Sequence, residues 1–103
     1  MNKSETISEM ILTKHNWQPT KTNGNLHISG LPDFRCNNDR YVEVKKIVSN
    51  QYFIQIQDNQ IKKWMELIKD KKQIYLMIFT HNNEYLTTFE IKKGDGIYVE
   101  NKL

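Results

Sequence analysis

The chain has 103 residues, 38% of them hydrophobic and 26% charged, with a net charge of +3. That suits one compact soluble domain and leaves no room for a second. No apolar run approaches the ~20 residues that cross a bilayer, and a single cysteine, Cys36, excludes an internal disulfide and structural zinc of the Cys–His kind. The small basic excess permits a polyanionic partner.

Residues 2–14 are expected to form a helix. Ser4 is placed to cap it, and Glu5 falls in the first turn, where the helix dipole favours an acid. Ile7, Ser8, Ile11, Leu12 and His15 fall along one side at helical spacing, with Glu5 on its edge and Glu9 further out. The helix should end at Asn16, and Trp17 should begin an extended stretch. Residues 19–30 are polar and glycine-punctuated, a loop with room for a short strand at 26–28.

Two strands follow, 33–36 and 41–48, joined by the turn Asn37-Asn38-Asp39. Residues 52–56 alternate and read as a short strand or an extended lead-in. Asp58 is a good N-cap for a helix over 59–69, with Ile61, Trp64, Met65 and Ile68 as its apolar stripe and Lys62, Lys63, Glu66 and Lys69 facing out. The continuous apolar run 74–80 predicts a buried central strand. His81-Asn82-Asn83 turns the chain into 84–91, where Tyr85, Thr87, Phe89 and Ile91 alternate onto one face. Gly94-Asp95-Gly96 leads to a last strand, 97–100. The order predicts an α/β domain with a mixed sheet and helices packed on it.

The chemistry concentrates in Gly30-Leu31-Pro32-Asp33-Phe34 and Tyr41-Val42-Glu43-Val44-Lys45. Asp33 and Glu43 sit on neighbouring strands of one hairpin and can converge. Lys45 shares the strand face of Glu43, while Val42 and Val44 face the core. Two carboxylates and the Val44 carbonyl are hard oxygen donors, suited to Mg²⁺ or Mn²⁺. Taken singly, each residue has a plainer reading. Asp33 after Pro32 can end a turn, Glu43 and Lys45 can be a solvated strand pair, and Glu5 and Gln60 can be polar first-turn residues. Cys36 reads as a small core residue, Trp17 and Trp64 as core aromatics, and His15, His27 and His81 as structural.

Together, Pro32-Asp33 and Glu43-Val44-Lys45 resemble the PD-(D/E)XK nuclease superfamily. Glu5 on the first helix resembles the glutamate that supports the metal in such proteins, with Glu9 as its rival. Asn16-Trp17 stands where relatives have a glycine–aromatic pair. Gln60 resembles the glutamine of the helix after the lysine strand. Its spacing to Trp64 is similar to that in virus-type replication-repair nucleases and archaeal Holliday junction resolvases. The hairpin turn is shorter than usual. The resemblance covers residues 5–80. It implies a restriction-endonuclease-like core, with Asp33, Glu43, the Val44 carbonyl and Glu5 on Mg²⁺ or Mn²⁺. It assigns Lys45 to the attacking water and Gln60 to positioning.

The expected activity is therefore a metal-dependent endonuclease acting on DNA, selective for structure (a Holliday junction, flap or branch) and placed in repair or recombination. Lys21, Lys46, Lys62 and Lys63 are candidate phosphate contacts, with Thr20 and Thr22 beside Lys21. A homodimer is expected for a symmetric junction. The polar start of the chain and the lone cysteine suggest a cytoplasmic, intracellular home, with viral or plasmid origin open. Three other readings stay open: a non-catalytic nucleic-acid-binding module, a ribonuclease, and a subunit of a larger restriction or repair complex.

Overall fold

The computed structural model describes residues 2–22, 29–47, 54–93 and 97–101, the last strand by its backbone. The expected strand at 26–28, His27, the start of the 52–56 segment and the turn at 94–96 lie outside the described residues. In chain order the elements are α1 (Lys3–Lys14), β1 (Thr20–Lys21), β2 (Phe34–Cys36), β3 (Arg40–Lys46), α2 (Asp58–Lys69), β4 (Gln73–Phe79), β5 (Tyr85–Lys93) and β6 (Ile97–Asn101). The strands form one mixed sheet in sequence order. Neighbours are antiparallel except β3 and β4, which run parallel. A parallel pair needs a crossover, and α2 supplies it.

Strand alternation sorts the core into two layers. Phe34, Cys36, Val42, Tyr75, Met77 and Phe79 face α1, where Leu12, Ile7 and Ile11 cover them. Tyr41, Ile74, Leu76, Ile78 and Ile91 face α2, where Trp64 and Leu67 cover them. β4 is buried along its apolar length because both its faces are covered. Trp64 and Phe34 are fully buried, and truncating either to alanine is expected to cost about 3–5 kcal/mol.

Asn2, not Ser4, caps α1. Its side-chain oxygen accepts the Glu5 N–H at 2.8 Å, while Ser4 lies inside the first turn and donates to Asn2. Ser4, Ser8 and Leu12 form the buried line of the helix. Two serines on that line keep its side chains short against the sheet, and the Ser8 hydroxyl is satisfied by the Ser4 carbonyl at 2.8 Å. His15, expected on the covered side, is exposed. The helix closes at Lys14, and Asn16 turns left-handed with φ 62°. Trp17 then packs edge-on against Tyr75, 4.9 Å between centroids.

α2 begins one residue earlier than expected. Asp58 is its first residue and Gln57 its N-cap. The Gln60 side-chain oxygen accepts the Gln57 N–H at 3.1 Å, so the start of the helix is closed by a side chain from its own first turn. Between β4 and β5 the register slips beside Ile78 and Phe79, leaving Leu86 as an extra residue on β5. This bulge turns Tyr85 to the α1 side, against Phe79 at 5.7 Å, and away from the face it was expected to share with Phe89 and Ile91.

Candidate active site

The β2–β3 hairpin sets the site. Asn38 and Asp39 have φ of 56° and 58°, and the Arg40 N–H returns to the Asn37 carbonyl at 3.3 Å. Asn and Asp tolerate this left-handed geometry better than other non-glycine residues. Phe34 pairs with Val42 and Cys36 with Arg40. The same register places Asp33 opposite Glu43, on the α2 side, and Pro32 opposite Val44.

Pro32 and Asp33 end β2 by complementary means. The Val44 N–H points towards β2 and is taken by the Asp33 carboxylate, at 2.9 Å. The Val44 carbonyl points the same way, and Pro32 has no N–H to offer it. Proline thus offers that oxygen no hydrogen bond from β2. The Asp33 backbone is held from the residue after β1, where the Thr22 N–H donates to the Asp33 carbonyl at 3.0 Å and the Thr22 hydroxyl donates to the Pro32 carbonyl.

Glu43 is the most enclosed acid of the group, 5% exposed. It accepts the Asp33 N–H at 3.2 Å and the Gln60 carboxamide N–H at 2.8 Å. Lys45 lies 3.4 Å from the same Glu43 oxygen that Gln60 donates to. Lys45 also donates to the Gln60 oxygen at 2.9 Å. One glutamine therefore holds the acid with its amide and the lysine with its carbonyl. Burial, and then the charge of Asp33, push the Glu43 carboxyl up to about 8. Burial raises Asp33 too, against the Val44 N–H, which favours its charged form. Both carboxyls are thus pushed towards their neutral forms by burial and by facing another acid.

The start of α2 is pressed against the chain leading into Asp33. Gly30 has φ +81°, and a Cβ there would lie 2.3 Å from the Asn59 carbonyl oxygen. The Trp64 indole N–H donates to the Gly30 carbonyl at 3.0 Å, and Asn59 donates to Ser29 at 2.6 Å. A glycine at position 30 thus allows the first turn of α2, which carries Gln60, to pack this closely.

Of the two glutamates left open on α1, Glu5 is the one whose charge acts on Asp33, raising it, and it pairs with Lys21 at 2.7 Å. Lys21, expected as a free phosphate contact, is thus already engaged. The other lysines are not gathered around the acids. Lys46 is exposed at the end of β3 on the opposite face from Lys45, Lys62 is exposed on α2, and Lys63 pairs with Glu66 at 3.4 Å. Thr20 is exposed on β1. Cys36 is buried, its thiol pushed up to about 11 by that burial.

Asp33, Glu43 and Lys45 are brought together as their spacing predicted, and Gln60, singled out by the resemblance alone, joins them. The Glu5–Lys21 pair and the role of Gly30 were not foreseen. The only sequence signal for the latter was a glycine directly before Leu31-Pro32-Asp33. Among the described residues, no three His, Cys, Asp or Glu side chains stand close enough to hold an ion. The oxygen donors available are the Asp33–Glu43 pair and the Val44 carbonyl, a hard-donor set that fits Mg²⁺ or Mn²⁺. No family model, curated protein or solved structure matches the chain.

Proposed function

We propose that this chain is a metal-dependent nuclease of the PD-(D/E)XK type, hydrolysing phosphodiester bonds in DNA. The observation that carries the reading is the side-by-side placement of Asp33 and Glu43 beneath Lys45 and Gln60. A buried acid facing a half-buried one costs stability when both are ionised, a cost that a cation between them would offset. A solvated strand pair would have neither the burial nor the glutamine that locks it.

Asp33, Glu43 and the Val44 carbonyl would hold Mg²⁺ or Mn²⁺, with Glu5 in support. A divalent ion there supplies a water of lowered pKa and charge to offset the phosphate. Lys45 contributes a fixed positive charge beside the acids, placed to orient the attacking water and steady negative charge on the phosphate. Gln60 keeps that ammonium aimed, and its own position is fixed by the Gln57 N–H. The Trp64–Gly30 contact keeps α2 seated, so that neither group drifts.

Both helices are occupied in covering the sheet. Direct reading of bases needs an element inserted in a groove, so recognition by DNA shape is the form we favour: junctions, flaps, nicks or ends. A homodimer would offer two such sites to a four-way junction.

The test is cleavage of a labelled panel (duplex, single strand, flap, splayed arm and four-way junction) in Mg²⁺ and in Mn²⁺, with Glu43→Gln run in parallel. Metal-dependent cutting lost in the variant supports the nuclease. Binding of DNA by both proteins, with no cutting of any substrate, overturns it in favour of a binding module. A matched RNA panel separates deoxyribonuclease from ribonuclease.

A further inference from the structure

A cleft of about 390 Å³ opens past the carboxyl ends of the parallel strands β3 and β4, lined by Ile47, Thr80, His81, Asn82, Glu84 and Leu86. The carboxyl end of a parallel pair is where open α/β sheets commonly seat a ligand. Ile47 leaves β3 with its N–H on the Phe79 carbonyl at 2.8 Å and packs on the α2-side core. Leu86, the extra residue of the β5 bulge, is 50% exposed. The polar lining comes from one tight turn. The Thr80 hydroxyl accepts the Asn82 N–H at 3.2 Å and the Glu84 N–H at 3.1 Å, and the Thr80 N–H donates to the Glu84 carbonyl at 2.8 Å. The backbone is thereby fixed, while among the described residues the side chains of His81, Asn82 and Glu84 make no hydrogen bond or ion pair. Lys45 stands two residues before Ile47, and both are on the α2 side of the sheet. Two residues of extended chain advance about 6–7 Å, close to the reach of one nucleotide from its phosphate to its base.

We infer that this cleft seats one unpaired nucleobase of the DNA strand whose phosphate meets Lys45. The inference rests on the nuclease reading above. The volume is that of a small ligand site, enough for a single ring system and too small for a duplex. Ile47 and Leu86 offer aliphatic surface to the face of a ring. Asn82 can both donate to and accept from a base edge, and the Glu84 carboxylate can accept from an exocyclic amino group. That acid also argues for a base over a second phosphate, which it would repel. A paired base buries its face in the stack and its pairing edge in its partner, so the nucleotide must be unpaired. The substrate class then narrows from branched DNA in general to DNA with a single-stranded arm at the cut.

The test is fluorescence anisotropy of the full chain with a labelled splayed-arm DNA and a duplex of equal length, in Ca²⁺ with gels confirming that the strands stay whole. Leu86→Ala and Asn82→Ala leave the acids, Lys45, Gln60 and the net charge untouched. Each is expected to weaken binding of the splayed arm roughly five- to tenfold and to leave the duplex within about twofold of wild type. A single abasic nucleotide, moved along the arm, should cost wild type a similar factor at one position next to the branch. At that position it should cost Leu86→Ala little, since the base and its seat are one interaction. Equal losses on duplex and splayed arm overturn the inference, as does an abasic penalty that persists undiminished in Leu86→Ala. Failure of the nuclease reading is a different result. Wild type that cuts the panel while both variants bind as it does overturns this inference alone, and wild type that binds no DNA overturns both.

Discussion

Gln60 donates its carboxamide N–H to Glu43 at 2.8 Å and with its other end accepts from Lys45 at 2.9 Å. A neutral side chain thereby sets the distance between an acid and a base that belong to a different element. Gln60→Ala is expected to lower kcat by about 10- to 100-fold with DNA binding little changed, because Lys45 loses its aim and keeps its charge. The same variant leaves the Gln57 N–H without its partner and should cost about 1 kcal/mol of stability. Single-turnover cleavage and urea denaturation read the two effects separately.

Lys45→Met removes the cation and keeps much of the volume. A loss of about 10²–10³ in kcat is expected, of the size seen when one electrostatic stabiliser is removed from a site. Mn²⁺ binding should survive, because Lys45 donates no metal ligand. Losing cleavage together with metal binding would instead mean that the variant had lost the site as a whole.

The raised Glu43 carboxyl makes metal-free stability depend on pH. Unfolded Glu43 ionises near its ordinary value of 4.5, and the folded group near 8. Below 4.5 both states hold the proton and the fold keeps its full stability. Between the two values the unfolded chain has released a proton that the folded one retains, so stability falls as pH rises and levels off above 8. Asp33 is shifted in the same direction. The fall is expected to be on the order of a few kcal/mol between about pH 5 and about pH 9 in EDTA. Urea midpoints check it, with Glu43→Gln expected to flatten the slope and to be the more stable protein at the alkaline end. Saturating Mg²⁺ should restore wild-type stability there.

Gly30→Ala tests the seat of α2. The left-handed backbone and the 2.3 Å approach to Asn59 together leave no room for a methyl group. A loss of about 3 kcal/mol is expected by thermal denaturation. Cleavage by the folded fraction should also fall, since Gln60 starts from the displaced turn. Full activity in a destabilised Gly30→Ala would show that the seat serves the fold alone.

How far the chain could be read in advance followed the range of the interactions. Asp33, Glu43 and Lys45 were legible because a hairpin obeys short-range rules, period-two alternation and turn chemistry, whereas Gln60 was singled out only by the resemblance, since first-turn placement alone reads as an ordinary polar residue. β4 was legible because six buried residues in a row leave few other readings. The pairing of Lys21 with Glu5 was not, since it depends on β1 lying against β2 and on α1 crossing the same end of the sheet. Neither fact leaves a periodic trace. The side to which Tyr85 turns was lost for a related reason. A bulge at Leu86 changes parity, and nothing in the alternation before or after it announces the skip. The cap of α1 was misplaced by two residues because Asn2 and Ser4 are both good capping residues and the choice is made by packing, which buries Ser4.

The connection Asn37-Asn38-Asp39 works as a ruler. Asp33 faces Glu43 only because the residues between them are divided evenly on either side of that turn. With the three-residue turn kept, one residue added to the hairpin would shift the ladder by one, bring a hydrophobic position opposite Asp33 and send one acid to the other side of the sheet. Adding two would extend the ribbon and preserve the encounter. The loop farthest from the chemistry can therefore vary in composition within what its left-handed positions tolerate, while under a turn of fixed length the hairpin can grow only in pairs of residues.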